Sequence, residues 1–159
     1  MNKKELSYIA GFLDGDGCIM LQIVFRKDYK LGYQIRPSIV FYQKTKNRKF
    51  LEWLKNKLKA GYVRNRNDGM SEYAIVGVKP VMKVLIRIVD LVKLKKKQAI
   101  LALSILKKMP ENQKKMTPEL LYRLSKEVDK FSLLNYSKKR KITSHQVRNF
   151  LKSRHLLIP

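Results

Sequence analysis

The chain has 159 residues, with 36 lysines and arginines against 12 aspartates and glutamates, a formal net charge of +24 and 45% hydrophobic residues. That length suits one domain with a real core, since domains commonly run to ~100–200 residues, and the apolar content argues against disorder. The lone Cys18 excludes a disulfide scaffold or a cysteine-rich zinc module, no apolar run reaches the ~20 residues of a membrane span, and no import or secretion signal is seen at the start, so a soluble intracellular protein is expected.

Residues 4–15 read as a helix, with Leu6, Ile9 and Leu13 on one face and Tyr8 and Phe12 on another. No charge falls between Glu5 and Asp14, and a helix apolar on most sides is expected to be buried on most sides. Gly17 ends it. Residues 18–26 alternate: Ile19, Leu21, Ile23 and Phe25 point one way, Met20, Gln22, Val24 and Arg26 the other. After a turn at 28–32, residues 33–44 alternate again, with Tyr33, Ile35, Pro37, Ile39 and Phe41 inward and Gln34, Arg36, Ser38, Val40 and Tyr42 outward. Pro37 has no N–H for a ladder, which predicts a sheet edge or a bulge there. Residues 47–58 form an amphipathic helix striped by Phe50, Leu51, Trp53, Leu54 and Leu58, and ended by Gly61. Two strands, 62–66 and 71–76, flank the hairpin signal Asn67-Asp68-Gly69. Helices are predicted over 79–92 with Pro80 at its start, 95–109 stopped by Pro110, 118–134 capped by Thr117, and from Ser144, the expected cap, after a basic loop at 137–141. The order α-β-β-α-β-β-α with further C-terminal helices predicts an α+β fold, one domain over residues 1–159. Its two hairpins make a curved four-stranded antiparallel sheet with helices on one face.

A charge of +24 calls for a polyanion. A nucleic-acid duplex carries a charge about every 1.7 Å of its axis, whereas no basic amphipathic terminus points to a lipid surface. Charge does not choose between DNA and RNA. On the outward sheet face, Gln22, Arg26, Gln34, Arg36, Ser38, Arg64 and Arg66 match base edges, arginine to guanine and glutamine to adenine. Glu72 would accept from cytosine or orient an arginine. Tyr29, Val40 and Tyr42 suit thymine methyls or sugars, and Val24 and Asp28 belong to the same surface. The basic runs at 95–97 and at Lys138, Lys139, Arg140 and Lys141 suit phosphate.

The most unusual local feature is Asp14-Gly15-Asp16-Gly17. Carboxylates at a helix C-terminus oppose its dipole, and carboxylate plus free carbonyl is hard-oxygen ligation suited to Mg²⁺. Taken alone, the tetrapeptide reads better as an ordinary Asp-Gly turn. The helix before it shifts the balance. Gly11 and Gly15 lie about 40° apart around the helix, Ala10 widens that small-residue face, and Ser7, Phe12 and Asp14 flank it. A second copy packed there would bring two Asp16 carboxylates together near a two-fold axis, one for each strand of a duplex.

Residues 9–17, Ile-Ala-Gly-Phe-Leu-Asp-Gly-Asp-Gly, resemble the nine-residue signature of the LAGLIDADG homing endonucleases, in the single-motif, homodimeric, intron-encoded branch. The similarity runs through Gln43-Lys44-Thr45, Gly61-Tyr62-Val63-Arg64, Lys95-Lys96-Lys97-Gln98-Ala99 and residues 135–141. It implies a site-specific endonuclease that cuts both strands of a long pseudo-palindromic DNA site with Mg²⁺, Mn²⁺ or Ca²⁺ substituting in binding. Short 3′ overhangs are the product it implies. By resemblance, Asp16 is the metal-binding acid and the Gly15 carbonyl helps hold metal. Gln43 and Lys95 order water and charge at the scissile phosphates, and Asp14 is the structural acid. A basic residue of the family aligns at Asn47, and Arg48 next door is the candidate to replace it. The compartment implied is an archaeal cytoplasm or the organelle that encodes the gene. Two alternatives of the same fold stay open: an RNA-binding intron maturase and a DNA-binding regulator that does not cut. His145 and His155 lie far from the signature and give little support to a histidine base.

Overall fold

The computed structural model describes residues 1–134 and 142–157. In order, α1 is Lys3–Asp16, β1 Gly17–Phe25, β2 Tyr33–Lys44, α2 Arg48–Leu58, β3 Tyr62–Asn65, β4 Met70–Val76, α3 Val78–Ile88, α4 Lys96–Leu106, α5 Pro118–Asp129, α6 Phe131–Leu134 and α7 Ser144–Ser153. The four strands form one antiparallel sheet in the order β1-β2-β4-β3. The fold is thus the expected α+β arrangement.

The chain gathers into two compact units, Met1–Met20 with Pro37–Leu103, and Leu21–Arg36 with Ser104–Pro159. In the first, β2 pairs with β4 from Ser38↔Val76 to Lys44↔Met70, and β3 with β4 from Tyr62↔Ala74 to Asn65↔Ser71. Helix α2 packs on β3 and β4, α3 on β4, and α1 on α3. The core holds Ile9, Leu13, Ile39, Phe41, Leu51, Leu54, Tyr73, Ile75 and Leu85 without solvent contact. Phe41 stacks between Phe12 at 5.8 Å and Tyr73 at 5.7 Å, ring centre to ring centre. Truncating Phe41 to alanine should cost about 3–5 kcal/mol, because so tight a stack collapses poorly around a cavity.

In the second unit, Leu21, Ile23 and Ile35 are buried, as are Leu121, Leu124, Val128, Phe131, Val147 and Leu151. Helices α5 and α7 pack together. The Gly32 φ of +67° leaves no room for a side chain, since a Cβ there would lie 2.2 Å from the Phe150 ring.

Several boundaries differ from the periodicity. β2 is an interior strand, but its ladder to β4 begins at Ser38, one residue after Pro37, and the Pro37 carbonyl accepts from the Gly77 N–H at 3.1 Å. The missing proline N–H would face the Gly77 carbonyl, which accepts from the Val81 N–H at 3.2 Å instead. Helix α2 ends at Lys59, which takes the left-handed conformation with φ 55°. Gly61 is needed for a different reason: a Cβ there would lie 2.2 Å from the Ala74 carbonyl oxygen. The segment predicted as 118–134 breaks at Lys130 into α5 and α6. The cap of α7 is Thr143, not Ser144. The Thr143 N–H donates to Gln146 Oε1 at 2.9 Å, while the Ser144 N–H donates to Asp129 Oδ2 at 3.0 Å. Helix α1 is buried on one side only: Ile9, Ala10 and Leu13 are covered, while Tyr8 is 57% exposed. Among the described residues no helix is long and apolar enough to cross a membrane.

Candidate metal and nucleic-acid site

The two signature acids leave α1 in different directions. Asp14 folds back onto the start of α4. Its Oδ2 accepts from the Lys93 and Leu94 N–H groups at 2.6 and 3.1 Å, and its Oδ1 from the Lys95 N–H at 2.9 Å. These N–H groups belong to the turn that leads into α4. A carboxylate that opposes the α1 dipole is thereby placed where the α4 dipole favours it. The Lys95 ammonium donates to the Asp14 main-chain carbonyl.

Asp16 is exposed. Its Oδ2 accepts from Gln43 Nε2 at 3.0 Å, and Gln43 Oε1 accepts from Asn47 Nδ2 at 3.0 Å. A chain of two neutral amides thus orients the carboxylate and leaves Oδ1 without a hydrogen bond among the described residues. Helix α1 ends at Asp16, with the Gly17 N–H bonded to the Leu13 carbonyl, so the Gly15 carbonyl lies in the last turn, where helical donors run out. Gly17 lets strand follow helix this closely, because a Cβ there would lie 2.5 Å from the Leu13 side chain. Gly15, Asp16, Gly17, Tyr42, Gln43, Lys44, Lys46, Asn47 and Met70 line an open depression. Exposed carboxylate oxygen beside helix-end carbonyl is a donor set that fits a hard divalent cation. No three His, Cys, Asp or Glu side chains gather at one point among the described residues, so Asp16 offers a single carboxylate and not a cage.

Arg48, the candidate for the basic residue missing at Asn47, is bonded to other partners. Its guanidinium donates to Asn65 Oδ1 at 2.6 Å, Glu52 Oε1 at 2.9 Å and the Val63 carbonyl at 3.3 Å. It ties α2 to β3 instead. Lys95 likewise sits on Asp14 and makes no hydrogen bond to Asp16 among the described residues.

The sheet face of the first unit holds Tyr42, Arg64, Arg66 and Glu72. Glu72, only 7% exposed, accepts from Arg64 Nε at 2.7 Å and lies 3.9 Å from Arg66. Arg66 also pairs with Asp68 at 2.8 Å and lies over the Tyr42 ring, 5.7 Å from its centre. Its bond to Glu72 holds Arg64 more firmly charged than usual, and burial first, then the Cys18 thiol and Glu72, push the Tyr42 phenol up. Burial also pushes the Cys18 thiol up. Ser38 and Val40 share this face by register, yet they are 1% and 5% exposed. The expectation that they stand out to solvent is corrected: alternation assigns a side, and neighbouring side chains cover these two small residues. In the second unit Gln22, Arg26, Asp28 and Tyr29 are exposed, Val24, Gln34 and Arg36 half-buried, and Arg26 reaches Gln34 at 3.4 Å. Lys138, Lys139, Arg140 and Lys141 lie outside the described residues.

Among the expected contact residues of a second copy, Ala10 is fully buried in its own chain, which corrects its placement there. Phe12 is half-buried against Phe41 and Phe50, and both Asp14 carboxylate oxygens accept from their own chain. What stands open is a ridge of Ser7, Gly11 and Gly15, each four residues from the next and exposed. A Cβ on either glycine would meet nothing within 4 Å.

The LAGLIDADG endonuclease family matches residues 9–107, from the signature helix through α4. The chain belongs to the LAGLIDADG endonuclease family. It is 40% identical over 148 residues to the DNA endonuclease I-CvuI of Chlorella vulgaris, covering 93% of this chain and 90% of the relative. It is also 40% identical over 152 residues to the DNA endonuclease I-CreI of Chlamydomonas reinhardtii, covering 96% and 91%. A crystal structure of I-CvuI with its target in 2 mM Ca superposes with a TM-score of 0.91, covering 98% of this chain and 97% of that one. A second, with the I-CreI target in 2 mM Mg and its DNA not cleaved, gives 0.92. The family match includes Gly15, Asp16, Gln43, Lys95, Arg64, Arg66 and Glu72.

Two features of the site were beyond sequence reading: Asn47 as the second amide of the Asp16 chain, and Lys44 and Lys46 on its wall. The spacing of Gln43 and Asn47 crosses from a strand into a 3₁₀ turn, where neither strand nor helix periodicity applies.

Proposed function

We propose that this chain is a site-specific homing endonuclease that hydrolyses both strands of a long pseudo-palindromic DNA duplex as a homodimer, with Mg²⁺ as its metal. The observation that carries the reading is Asp16: an exposed carboxylate, oriented by Gln43, at the end of a helix whose small-residue ridge is left open. With Ser7, Gly11 and Gly15 against a second α1, two such carboxylates lie side by side, one for each strand. Asp16 and the Gly15 carbonyl would hold the cation, which would supply an activated water and neutralise the leaving oxygen. Gln43 orients the Asp16 carboxylate through Oδ2. Lys95, docked on Asp14, sets positive charge beside the end of α1. Hydrolysis adds one water across each scissile P–O bond and leaves a phosphate and a hydroxyl.

Base reading falls to Tyr42, Arg64 and Arg66 in the first unit, with Glu72 aiming the two arginines, and to Gln22, Arg26, Gln34 and Arg36, with Val24, Asp28 and Tyr29, in the second. Lys138, Lys139, Arg140 and Lys141 hold phosphate. Residues 1–159 act as one DNA-cutting domain per protomer, in the compartment that carries the gene. The test is cleavage of a duplex containing the intron-minus insertion locus of that gene, titrated with Mg²⁺. Asp16→Asn should abolish cutting and leave binding within about threefold. A variant that cuts at the wild-type rate would defeat the assignment of Asp16.

A further inference from the structure

We propose that Lys46 supplies the positive charge that meets the scissile phosphate at the Asp16 site. The proposal rests on the endonuclease reading above and names a residue that reading does not use. A phosphodiester entering the depression brings one negative charge and gains another as the attacking water adds. It does so beside the carboxylate of Asp16. Positive charge placed in advance where negative charge develops is a large part of catalysis at such centres.

The wall of the depression contains two cations, Lys44 and Lys46. Two other basic groups nearby are committed. Arg48 is spent on Glu52, Asn65 and Val63, and the Lys95 ammonium on the Asp14 carbonyl. Asn47 is neutral, and its amide is taken by Gln43. Neither Lys44 nor Lys46 makes an ion pair or hydrogen bond through its side chain among the described residues.

Strand geometry separates the two lysines. Lys44 is the last residue of β2, paired with Met70, and shares a face with Tyr42, opposite to Gln43. It belongs to the groove face, where it can hold the backbone of bound DNA. Lys46 lies past the strand end, in the 3₁₀ turn next to Asn47. It lines both the Asp16 depression and the adjoining one between α1 and α2, with Tyr8, Phe12 and Phe50. Lys46 is thus an exposed, unpaired lysine shared by the two depressions, one of which holds Asp16.

The experiment uses the full-length protein and the intron-minus duplex, with single-turnover cleavage in Mg²⁺ and affinity in Ca²⁺. Lys46→Ala should slow cleavage at least about tenfold, on the scale of one lost transition-state contact, while its affinity stays within about threefold and its melting temperature is unchanged. Lys46→Arg should recover most of the rate, as should Asn47→Arg added to Lys46→Ala. Lys44→Ala should lower affinity and its salt slope. An unchanged rate in Lys46→Ala, a loss confined to affinity, or a slow variant that neither arginine rescues would each overturn the assignment. If the wild type fails to cut, the endonuclease reading falls and Lys46 with it. A cutting wild type with an indifferent Lys46→Ala overturns only this proposal.

Discussion

Replacing Asp14 by asparagine tests the claim that the first signature acid holds the fold and the second does the chemistry. The Asp14 carboxylate accepts three main-chain N–H bonds, at 2.6, 3.1 and 2.9 Å. A hydrogen bond to a charged group is worth roughly 1.5–3 kcal/mol. The three are not additive, because they share one carboxylate that is only half-buried. An asparagine oxygen can serve the Lys93–Leu94 pair or Lys95, but not both, and its NH₂ then faces another donor. Losing one strong bond outright and the charge behind the others should cost about 2–4 kcal/mol, after water replaces part of the loss. For a chain of this length each kcal/mol moves the melting temperature by roughly 2–4 °C, so a fall of about 4–16 °C is expected. The assay is thermal and urea unfolding of wild type, Asp14→Asn and Asp16→Asn at one fixed protomer concentration, since association adds to apparent stability. Asp16→Asn, exposed and bonded only to Gln43 among the described residues, should stay within about 0.5 kcal/mol of wild type. An Asp14→Asn protein with an unchanged urea midpoint would refute the clamp.

Gly11→Leu should leave the protomer folded, because a side chain there meets nothing within 4 Å, but abolish the dimer in sedimentation; an intact dimer would place the contact elsewhere. Glu72→Gln should loosen Arg64 and Arg66 and reduce discrimination at the same base pairs as Arg66→Ala, each guanine contact being worth ~1–3 kcal/mol. Affinities across single-base variants of the site would show it, and an equal loss at every variant would make that face merely electrostatic. The bond to Lys57 holds the Glu5 carboxyl below its ordinary 4.5, so this pair stabilises the fold above that pH and is lost as pH falls through the lowered value. Glu5→Gln keeps the cap on the Asn2 N–H and should therefore be less stable than wild type at neutral pH, with the gap closing in acid. A gap that widened in acid would contradict the pairing.

The elements legible in the sequence are those whose side chains are sorted by a single period. The bounds of β2 match the alternation of residues 33–44, and the order of the first seven elements follows from hydrophobic spacing and turn residues. The helix ends that shifted are those set by distant partners. Helix α4 begins at Lys96, directly after the Lys93–Lys95 turn whose N–H groups bond Asp14, far back in the chain. Arg48 looked available to the site because nothing near it in sequence announces Asn65 or Val63. For Ser38 and Val40, the period assigns the correct side of the sheet but carries no information on what lies above them. Resemblance located Asp16 and Gln43, and only the fold shows that a neutral amide, itself held by Asn47, is what reaches the acid.

That neutral partner is the telling detail of the site. In a chain with 36 basic and 12 acidic residues, an acid meets a cation by default. Glu5 is paired with Lys57, Glu52 with Arg48, Asp68 with Arg66, Glu72 with Arg64 and Glu127 with Lys108. Asp14 takes three backbone N–H groups instead. Asp16 pairs with no basic side chain among the described residues, although Lys44 and Lys46 share its depression. An internal ammonium on Asp16 would satisfy the carboxylate and compete with any metal. Gln43 orients the same oxygen without neutralising it, and so leaves the full negative charge for a divalent cation from solution. The lysines beside it, held off the acid, keep their own charge for phosphate. Changing Gln43 to lysine should therefore weaken metal binding and cutting together, where a change to glutamate, adding a second carboxylate, would tighten metal and repel DNA.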